Sequence, residues 1–274
     1  MKKVWSMYFS GTGTTERVVK KIADIIAEKL GAERENIDFT PKSKREIEYT
    51  FSKDDIVVLG TPVIAGRVPN ILLKFLENIR GEGALTIPIV MFGNRNYDDA
   101  LIELRDILIK DNFIPIAAGA FVGEHSFSNI LGKGRPDRED FEIVEFLSEK
   151  AVENIERKEY LRGNLYVKGE TPYRWYYQPR DSKGNPIDIR KVKPKTDMNR
   201  CTNCGICADI CPMSSIDRNN VDTVNGICIK CCACIKKCPV SAKYFDDKNF
   251  IYHKEELELE YKRRAKVDIF YKFI

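Results

Sequence analysis

The sequence predicts an α/β domain built on a parallel sheet, followed by a small cysteine-rich domain. Over the first 158 residues, short apolar runs alternate with stretches of helical periodicity, which is typical of a parallel sheet covered by helices. Nearer the C-terminus, eight of the nine cysteines fall into two copies of one spaced pattern. At 274 residues and 43% hydrophobic content, the chain is long enough for an ordinary core and a small second domain.

Each element of the first domain has a local signal. Residues 4–9 form a short apolar run before Ser10, which is typical of a buried strand. Thr14–Leu30 carries an apolar stripe at helical spacing that ends at Gly31. The remaining predicted elements are strands at 37–39, 55–60, 87–92 and 114–121, and helices at 70–79, 98–110 and about 137–158. Five strands in this alternation favour a flavodoxin-like, doubly wound parallel sheet, with a ligand at the carboxyl ends of the strands.

The first loop on that edge of the sheet has the composition of an anion site. It consists of Ser10, Gly11, Thr12, Gly13, Thr14 and Thr15. Converging N–H groups, hydroxyls and the positive end of the following helix would hold an anion. The loop lacks the lysine of an ATP-binding P-loop, and Glu16 replaces the third glycine of a dinucleotide motif. A single terminal phosphate, as in FMN, fits best, and a tight turn without a ligand is the alternative.

Two further loops are expected to enclose a planar ring beside that phosphate. Loop two consists of Thr61, Pro62, Val63, Ile64, Ala65, Gly66 and Arg67, and loop three of Gly93, Asn94, Arg95, Asn96 and Tyr97. Tyr97 is predicted either to stack on the ring or to pack in the core. Arg67 and Arg95 would place positive charge beside the ring, favouring negative charge on a reduced flavin, unless they pair with carboxylates.

The cysteines carry the most specific signal. Each copy reads C-x2-C-x2-C-x3-C-P, the run of bacterial ferredoxins with two [4Fe–4S] clusters, in which the fourth cysteine ligates the other cluster. The pattern therefore assigns one cluster to Cys201, Cys204, Cys207 and Cys238, and the second to Cys228, Cys231, Cys234 and Cys211. Zinc is a poorer match, since a zinc site does not use the third cysteine or the C-P step. Disulfides would need an oxidising compartment, to which nothing in the chain points. Cys232 is expected to be a small buried hydrophobic residue.

The loop motifs and cysteines together resemble a known family. FSGTGTTERV, GTPVIAGRVPN, FGNRNYDDAL and GAFVGEHSFS precede the cysteines in the order found in the ferrodoxin family of flavodoxin–ferredoxin fusions, and the resemblance covers nearly the whole chain. It implies an FMN held by residues 10–15, 61–67 and 93–97, two [4Fe–4S] clusters, and electron exchange between them. One departure is Ile64, where the family has an aromatic residue, which predicts a ring face more open to a partner or substrate.

Four parts are predicted along the chain. Residues 1–158 form the FMN-binding domain, 159–195 a connecting segment, 196–250 the α+β ferredoxin-like domain, and 251–274 a charged helix and tail. The connecting segment is too aromatic for a free linker, so it should pack between the two domains or strap one of them. The apolar end at 267–274 should dock back onto the body. His125 is either a proton donor near the flavin or a loop histidine, and His253 has no predicted role.

Two functional classes remain open from the sequence. The favoured one is an electron carrier that couples one-electron cluster chemistry to a flavin. The alternative is an FMN-dependent reductase whose clusters supply electrons for a bound small molecule. A formal charge of +4 does not favour a nucleic-acid partner, and no stretch approaches the roughly 20 apolar residues of a membrane span. The expected partner is a redox protein or a small oxidant or reductant, and the expected location is the cytoplasm.

Overall fold

The computed structural model describes residues 3–272. In its N-terminal part, each buried apolar run forms a strand and most amphipathic runs form helices. The elements are β1 (Lys3–Tyr8), α1 (Thr14–Leu30), β2 (Glu33–Asp38), β3 (Asp55–Pro62), α2 (Asn70–Leu76), β4 (Leu85–Phe92), α3 (Ala100–Lys110), β5 (Ile114–Pro115), β6 (Ala117–Val122) and α4 (Arg138–Arg157). The strand predicted at 114–121 is split in two beside Pro115, which has no N–H to donate to a ladder.

These strands form a parallel sheet in the order β2-β1-β3-β4-β6, with β5 pairing to the start of β4. This is the flavodoxin-like order, so the predicted doubly wound fold is confirmed. Both β2 and β3 pair with β1, and the direction of winding reverses there. Such a reversal leaves a crevice at the carboxyl ends of the strands, which is where ligands bind in sheets of this kind.

Helices cover both faces of the sheet. β4 is buried at every position, as expected for a central parallel strand. On one face, α1 and α4 pack together, and α1 turns Val18, Ile22 and Ile26 into the core. On the other face, α2 and α3 contribute Leu72 and Leu104 to a second apolar cluster. The core is therefore two-layered and holds the strand ends in place from both sides.

The cysteine-rich part is small and internally repeated. Its elements are β7 (Lys195–Thr196), α5 (Ile206–Asp209), α6 (Ala233–Lys236) and β8 (Lys243–Tyr244), and β7 pairs antiparallel with β8. The same left-handed backbone positions recur in both halves, at Asn203 and Lys230, Gly205 and Cys232, and Ser214 and Ser241. The two copies of the cysteine pattern thus adopt the same local conformation, as a ferredoxin-type repeat requires.

The C-terminal segment completes the first domain. After α7 (Lys248–Glu260), β9 (Asp268–Tyr271) pairs antiparallel with β6 and extends the sheet by one edge strand. The expected charged helix corresponds to α7, and β9, in the predicted apolar end, docks onto the sheet. Phe273 and Ile274 lie outside the described residues. Among residues 3–272, no helix is both long enough and apolar enough to cross a membrane.

The connecting segment contacts the rest of the chain through a few buried residues, while most of its residues are exposed. We call residues 163–193 the strap. Leu165 and Val167 are buried in the core of the sheet domain, and farther along the Lys193 Nζ donates to the Val224 carbonyl of the cysteine-rich part at 2.6 Å. Trp175, in contrast, is 95% exposed. The strap thus contacts both parts of the chain, with most of its buried residues on the sheet domain.

Short 3-10 helices span Lys42–Glu46 and Glu159–Arg162.

Candidate functional site

A cleft of about 470 Å³ lies at the carboxyl ends of the parallel strands. Its walls include residues from the loops that follow β1, β3, β4 and β6, the position expected for a ligand in a doubly wound sheet. The strap, α7 and the second cysteine repeat contribute the remaining wall. Segments from four distant stretches of chain therefore meet at one cavity.

The loop between β1 and α1 presents hydrogen-bond donors to this cleft. The N–H groups of residues 11–15 have no acceptor within the described part of the chain. Thr12, Thr14 and Thr15 line the cleft, and the positive end of the α1 dipole points toward it. Ser10 supports the loop itself, because its Oγ accepts the Glu16 N–H at 3.2 Å. Unpaired donors at a helix N-terminus fit an anionic phosphate group.

Loops two and three only partly match the predicted lining. The cleft is lined by Pro62, Val63, Ile64, Ala65 and Gly66 of loop two and by Gly93, Arg95 and Asn96 of loop three. The predicted residues that do not line it are Gly13, Thr61, Arg67, Asn94 and Tyr97. Thr61 is fully buried, and its Oγ1 has no hydrogen-bond partner.

Arg67 is engaged in the protein interior. Its Nε and Nη2 donate to the two carboxylate oxygens of Glu103 at 2.7 and 2.6 Å, and Glu103 also accepts the Val68 N–H at 2.9 Å. This hydrogen-bonded pairing raises the pKa of Arg67. Of the two alternatives for Arg67, the structure has the pairing with a carboxylate, and Arg67 fixes loop two to α3. Its sequence neighbourhood contains no signal for Glu103, which is 36 residues away.

Tyr97 and Asn94 have structural roles. The Tyr97 ring packs in the core 5.6 Å from Phe92, and its hydroxyl donates to the Asp268 carboxylate of β9 at 2.7 Å. Burial is the main cause that raises its pKa. Asn94 Nδ2 donates to the Tyr261 carbonyl at 2.7 Å. Of the two alternatives for Tyr97, the structure has the packed one, and both residues anchor the C-terminal segment.

Arg95 supplies positive charge to the cleft. It lines the cavity and forms a short ion pair with Asp98. Its guanidinium lies 4.4 Å from the centroid of the Tyr177 ring, a cation–π distance. The cation expected from Arg95 is therefore present, partly balanced by one carboxylate.

The strap covers the side of the cleft that Ile64 was expected to leave open. The Tyr177 N–H donates to the Ala65 carbonyl at 2.8 Å, and the Tyr176 hydroxyl donates to the Val68 carbonyl at 2.9 Å. Both rings line the cleft next to Ile64. The strap thus adds two aromatic residues to a cleft wall to which loop two contributes none.

His125 is a half-buried, neutral histidine of the cleft wall. Its Nδ1 accepts the Phe127 N–H at 3.1 Å, so the ring proton belongs on Nε2. Burial, with repulsion from His253, Lys236 and Arg95, lowers its pKa to about 3. The ring lies on the Gly93 backbone, where an added Cβ would be 2.4 Å from His125 Cδ2. A glycine at position 93 is therefore needed for this close approach.

His253 is the functional candidate that the sequence analysis missed. It is 4% exposed and lines the cleft from α7. Its Nδ1 lies 3.2 Å from Glu256 Oε2, within hydrogen-bond distance. Its ring stacks on Tyr177 with centroids 5.9 Å apart. Burial lowers its pKa despite the nearby Glu256 carboxylate. Nothing in the charged local sequence signals this burial, because the covering groups come from the strap and from residues 123–128.

The first cysteine quartet surrounds a small cavity, which we call the outer cavity. Its walls include Cys201, Cys204 and Cys207 of the first repeat and Cys238 of the second. Cys204 is exposed. This is the set that the spacing assigned to one cluster, with the fourth cysteine contributed by the other repeat. Four thiols around one cavity fit a [4Fe–4S] cluster.

The second quartet surrounds a second cavity, the inner cavity. Its walls include Cys228, Cys231 and Cys234 together with Cys211 from the first repeat. Cys232 also lines it and is buried, as expected, which raises its thiol pKa well above the usual range. Among the described residues, no three Cys, His, Asp or Glu side chains meet as ligands of a single metal ion.

Backbone N–H groups approach the fourth cysteine of each repeat in the same way. The Ser215 N–H donates to Cys211 Sγ at 3.4 Å, and the Ala242 N–H donates to Cys238 Sγ at 3.2 Å. Burial raises the pKa of Cys238, but backbone N–H groups outweigh it and lower the pKa overall. Such donors stabilise sulfur in its thiolate form, the form that ligates metal.

The inner cavity and the cleft share a wall. A Cβ added at Gly11 would lie 3.2 Å from Cys231 Cβ and 3.5 Å from its Sγ. Cys231 therefore contacts the loop that carries the unpaired N–H groups, and it lines both the cleft and the inner cavity. None of the cysteines of the outer cavity lines the cleft. The inner quartet is the one beside the cleft.

Polar contacts hold the cysteine-rich part against the sheet domain. Lys236 Nζ donates to Glu124 Oε1 at 2.7 Å and to the carbonyls of His125 and Ser128 at 2.9 and 3.0 Å. From the 3-10 helix Lys42–Glu46, Arg45 Nη2 donates to the Pro212 carbonyl at 2.5 Å. These bonds tie both repeats to the sheet domain.

Comparison with known proteins identifies the cysteine-rich part. Residues 194–217 match the family described as "4Fe-4S binding domain". No curated protein matches the sequence. The chain therefore joins a sheet of flavodoxin-like strand order to a segment that matches a 4Fe–4S binding domain.

Several solved structures resemble the sheet domain. A flavodoxin from the domain Archaea is 15% identical, with 57% of this chain and 99% of that chain covered and a TM-score of 0.40. Oxidised flavodoxin 1 from Bacillus cereus is 20% identical, with 56% and 98% covered and a TM-score of 0.39. A Fusobacterium nucleatum flavodoxin mutant bound to flavin mononucleotide is 16% identical, with 58% and 97% covered and a TM-score of 0.37.

Proposed function

We propose that this chain transfers electrons between two [4Fe–4S] clusters and one FMN held in the cleft. The observation that carries the proposal is the contact between Gly11 and Cys231, which gives the cleft and the inner cavity a common wall. In electron transfer no atoms move from one centre to the other, so the two centres themselves must lie close together. A redox protein or a small oxidant or reductant would exchange electrons with the fusion.

The cysteines would hold the clusters as two crossed quartets. Cys201, Cys204, Cys207 and Cys238 would bind one cluster at the outer cavity, and Cys211, Cys228, Cys231 and Cys234 the other at the inner cavity. When bound, clusters carry one electron each and a flavin can hold two, so the fusion couples one-electron to two-electron chemistry. The backbone donors to Cys211 and Cys238 would keep these sulfurs in the ligating form.

The cleft residues would hold FMN by its two ends. The N–H groups of residues 11–15 would bind the phosphate, while Pro62–Gly66 of loop two and the loop-three residues Gly93, Arg95 and Asn96 would line the isoalloxazine. Tyr176 and Tyr177 of the strap would exclude water from one side. Arg95 would stabilise negative charge that develops on the bound group during reduction.

A second candidate function is an FMN-dependent reductase that the clusters supply with electrons. The observation that favours it is the presence of two histidines, His125 and His253, on the cleft wall, with Tyr177 stacked on His253. A neutral His125 with its proton on Nε2 is a donor to whatever occupies the cleft. Turnover of an added small oxidant, lost in His125→Phe with cofactor content retained, would favour this function.

The carrier function is tested by stepwise anaerobic reduction followed by visible absorption and EPR, with iron and flavin assayed on the same sample. We expect about eight irons and one FMN per chain, all reducible by a low-potential donor. Iron without flavin would disprove the assignment of the cleft, and zinc in place of iron would disprove that of the cysteines.

A graded pair of variants tests the shared wall. Alanine at position 11 would place its Cβ in tight contact with Cys231, and valine would force the two walls apart. We expect flavin reduction by the clusters to slow in Gly11→Ala and to slow further in Gly11→Val, with iron and flavin content retained. Unchanged rates in both variants at full cofactor content would contradict transfer across this wall.

A further inference from the structure

The two cluster cavities are related by the internal repeat, but they differ in charge at one equivalent position. In each repeat, the fifth residue after the last cysteine turns into the cavity of one quartet. That residue is Ile216 in the first repeat, lining the inner cavity, and Lys243 in the second, lining the outer cavity. Both are buried, at 7% and 3% exposure. The repeat therefore places a lysine beside one quartet and an isoleucine beside the other.

The Lys243 ammonium group has only neutral partners. Its Nζ donates to Thr196 Oγ1 at 2.6 Å and, at short range, to the Val221 carbonyl. Within the part of the chain that the structure describes, no carboxylate lies within ion-pair distance of it. Lys243 is also the only charged side chain among the residues lining the outer cavity, apart from the cysteines themselves, and the inner cavity has none. Its positive charge is thus buried and unbalanced.

We propose that Lys243 makes the cluster of the outer quartet the more easily reduced of the two. The inference rests on the proposed function, in that both quartets hold clusters. A cluster gains one negative charge with each electron it accepts, and its potential depends on nearby charge and solvent exposure. A buried cation acts through a low dielectric and favours the reduced form. The exposure of Cys204 acts in the same direction.

Lys243 is 3% exposed, whereas Lys230, which places a cation beside Cys228 of the inner quartet, is only half-buried. Lys230 belongs to the second repeat, but its Nζ donates to the carbonyls of Cys228 and Arg190, each at 2.7 Å, and it lines the flavin cleft instead of the inner cavity. The asymmetry defines where an electron rests. The first electron that the protein accepts occupies the outer cluster, away from the cleft. From there it passes to the flavin by way of the inner cluster.

Potentiometric titration monitored by EPR tests the inference on the cluster-loaded chain, with iron assayed first. Wild-type protein should titrate in two separate one-electron waves. In Lys243→Met, the ratio of reduced to oxidised cluster in the higher wave should fall at least tenfold at fixed potential, a shift of about 59 mV for one electron. Lys243→Arg, which keeps the charge, should retain the wild-type wave.

Lys195→Met is the matched control, because it removes the same formal charge from the paired strand β7. Lys195 is exposed and bonded to Asp246 at 2.7 Å, so its removal should leave both waves in place. If Lys243→Met binds less iron, Lys243→Gln takes its place, since the amide can still donate to Thr196. Coincident waves in wild type, or a higher wave unmoved in the neutral variants, would overturn the inference. Iron well below eight per wild-type chain would instead refute the two-cluster function.

Discussion

A single buried carboxylate accepts four of the hydrogen bonds that hold the strap on the sheet domain, and removing its charge should loosen the strap around Arg174. Asp99 is fully buried and accepts four hydrogen bonds from two strap residues. The backbone N–H groups of Glu170 and Arg174 donate at 2.9 and 2.8 Å, and the Arg174 Nε and Nη2 donate at 2.9 and 2.6 Å. Asp99→Asn keeps the shape of the side chain but removes its charge and leaves some of these donors without an acceptor.

The size of the effect follows from burial. Breaking a buried ion pair costs about 3–5 kcal/mol when the remaining charge stays buried. The Arg174 side chain is 46% exposed and can return to water, so the cost should lie at the low end, about 3 kcal/mol. For a protein of this size, that loss corresponds to a fall in Tm of roughly 6–12 °C, if the strap unfolds together with the domain.

The lowered pKa of Asp99 also predicts that the free energy of unfolding decreases in acid. Burial acts to raise its pKa, but the hydrogen bonds from Arg174 and Glu170 outweigh burial and lower the pKa to about 2. The unfolded chain binds the proton first, near its ordinary pKa of about 4. The stabilisation is therefore complete above about pH 4 and is lost as the pH falls toward 2. Asp99→Asn should lack this part of the acid dependence.

Urea unfolding measures the loss, and limited proteolysis around Arg174 reports release of the strap. Glu170→Gln is the matched control, because it removes an exposed carboxylate 3.7 Å from the same arginine. Exposed pairs contribute about 0–1 kcal/mol, so this variant should resemble wild type. If Asp99→Asn and Glu170→Gln lost the same small amount of stability, with equal protease resistance, the reasoning about the buried carboxylate would be refuted.

Four other predictions follow from the same contacts. In Gly93→Ala, the added Cβ would lie 2.4 Å from the His125 ring and should displace it. The FMN content after gel filtration should then fall, and an unchanged content would contradict the close approach. Lys236→Met, which loses the bonds to Glu124 and two carbonyls, should slow flavin reduction by the clusters in stopped-flow, whereas retained rates would show that docking does not depend on it. Cys232→Ala should keep about eight irons and lose only about 1 kcal/mol of unfolding free energy; lost iron would make it a ligand. Because burial lowers the pKa of His125 to about 3 and also lowers the pKa of His253, the unfolded protein binds both protons first, so stability should fall below about pH 6.5. His125→Asn should reduce that fall in urea titrations, and an unchanged fall would contradict the burial of this imidazole.

The positions of some residues of the site could be predicted from the sequence, and those of others could not. The crossed cysteine quartets could be predicted because three-residue spacing and the C-P step constrain which sulfurs can surround one cavity, and both cavities have the predicted sets. The unpaired N–H groups of residues 11–15 were likewise expected from a loop that leads directly into a helix. Arg67 could not be placed in this way, because its partner Glu103 lies on a different element and competes with the cleft for the guanidinium.

By itself, the sequence determined the elements of the parallel sheet, the repeat of the cysteine-rich part and the grouping of its cysteines, because these depend on periodicity and spacing over a few residues. Tertiary structure decided what covers the cleft. The strap and α7 reach it across long stretches of chain and supply Tyr176, Tyr177 and the buried His253 to its wall, while β9 engages Tyr97 through Asp268. Such contacts depend on which surfaces meet after folding, and no local pattern at His253 or Tyr97 distinguishes a residue that will be covered from one that stays in water.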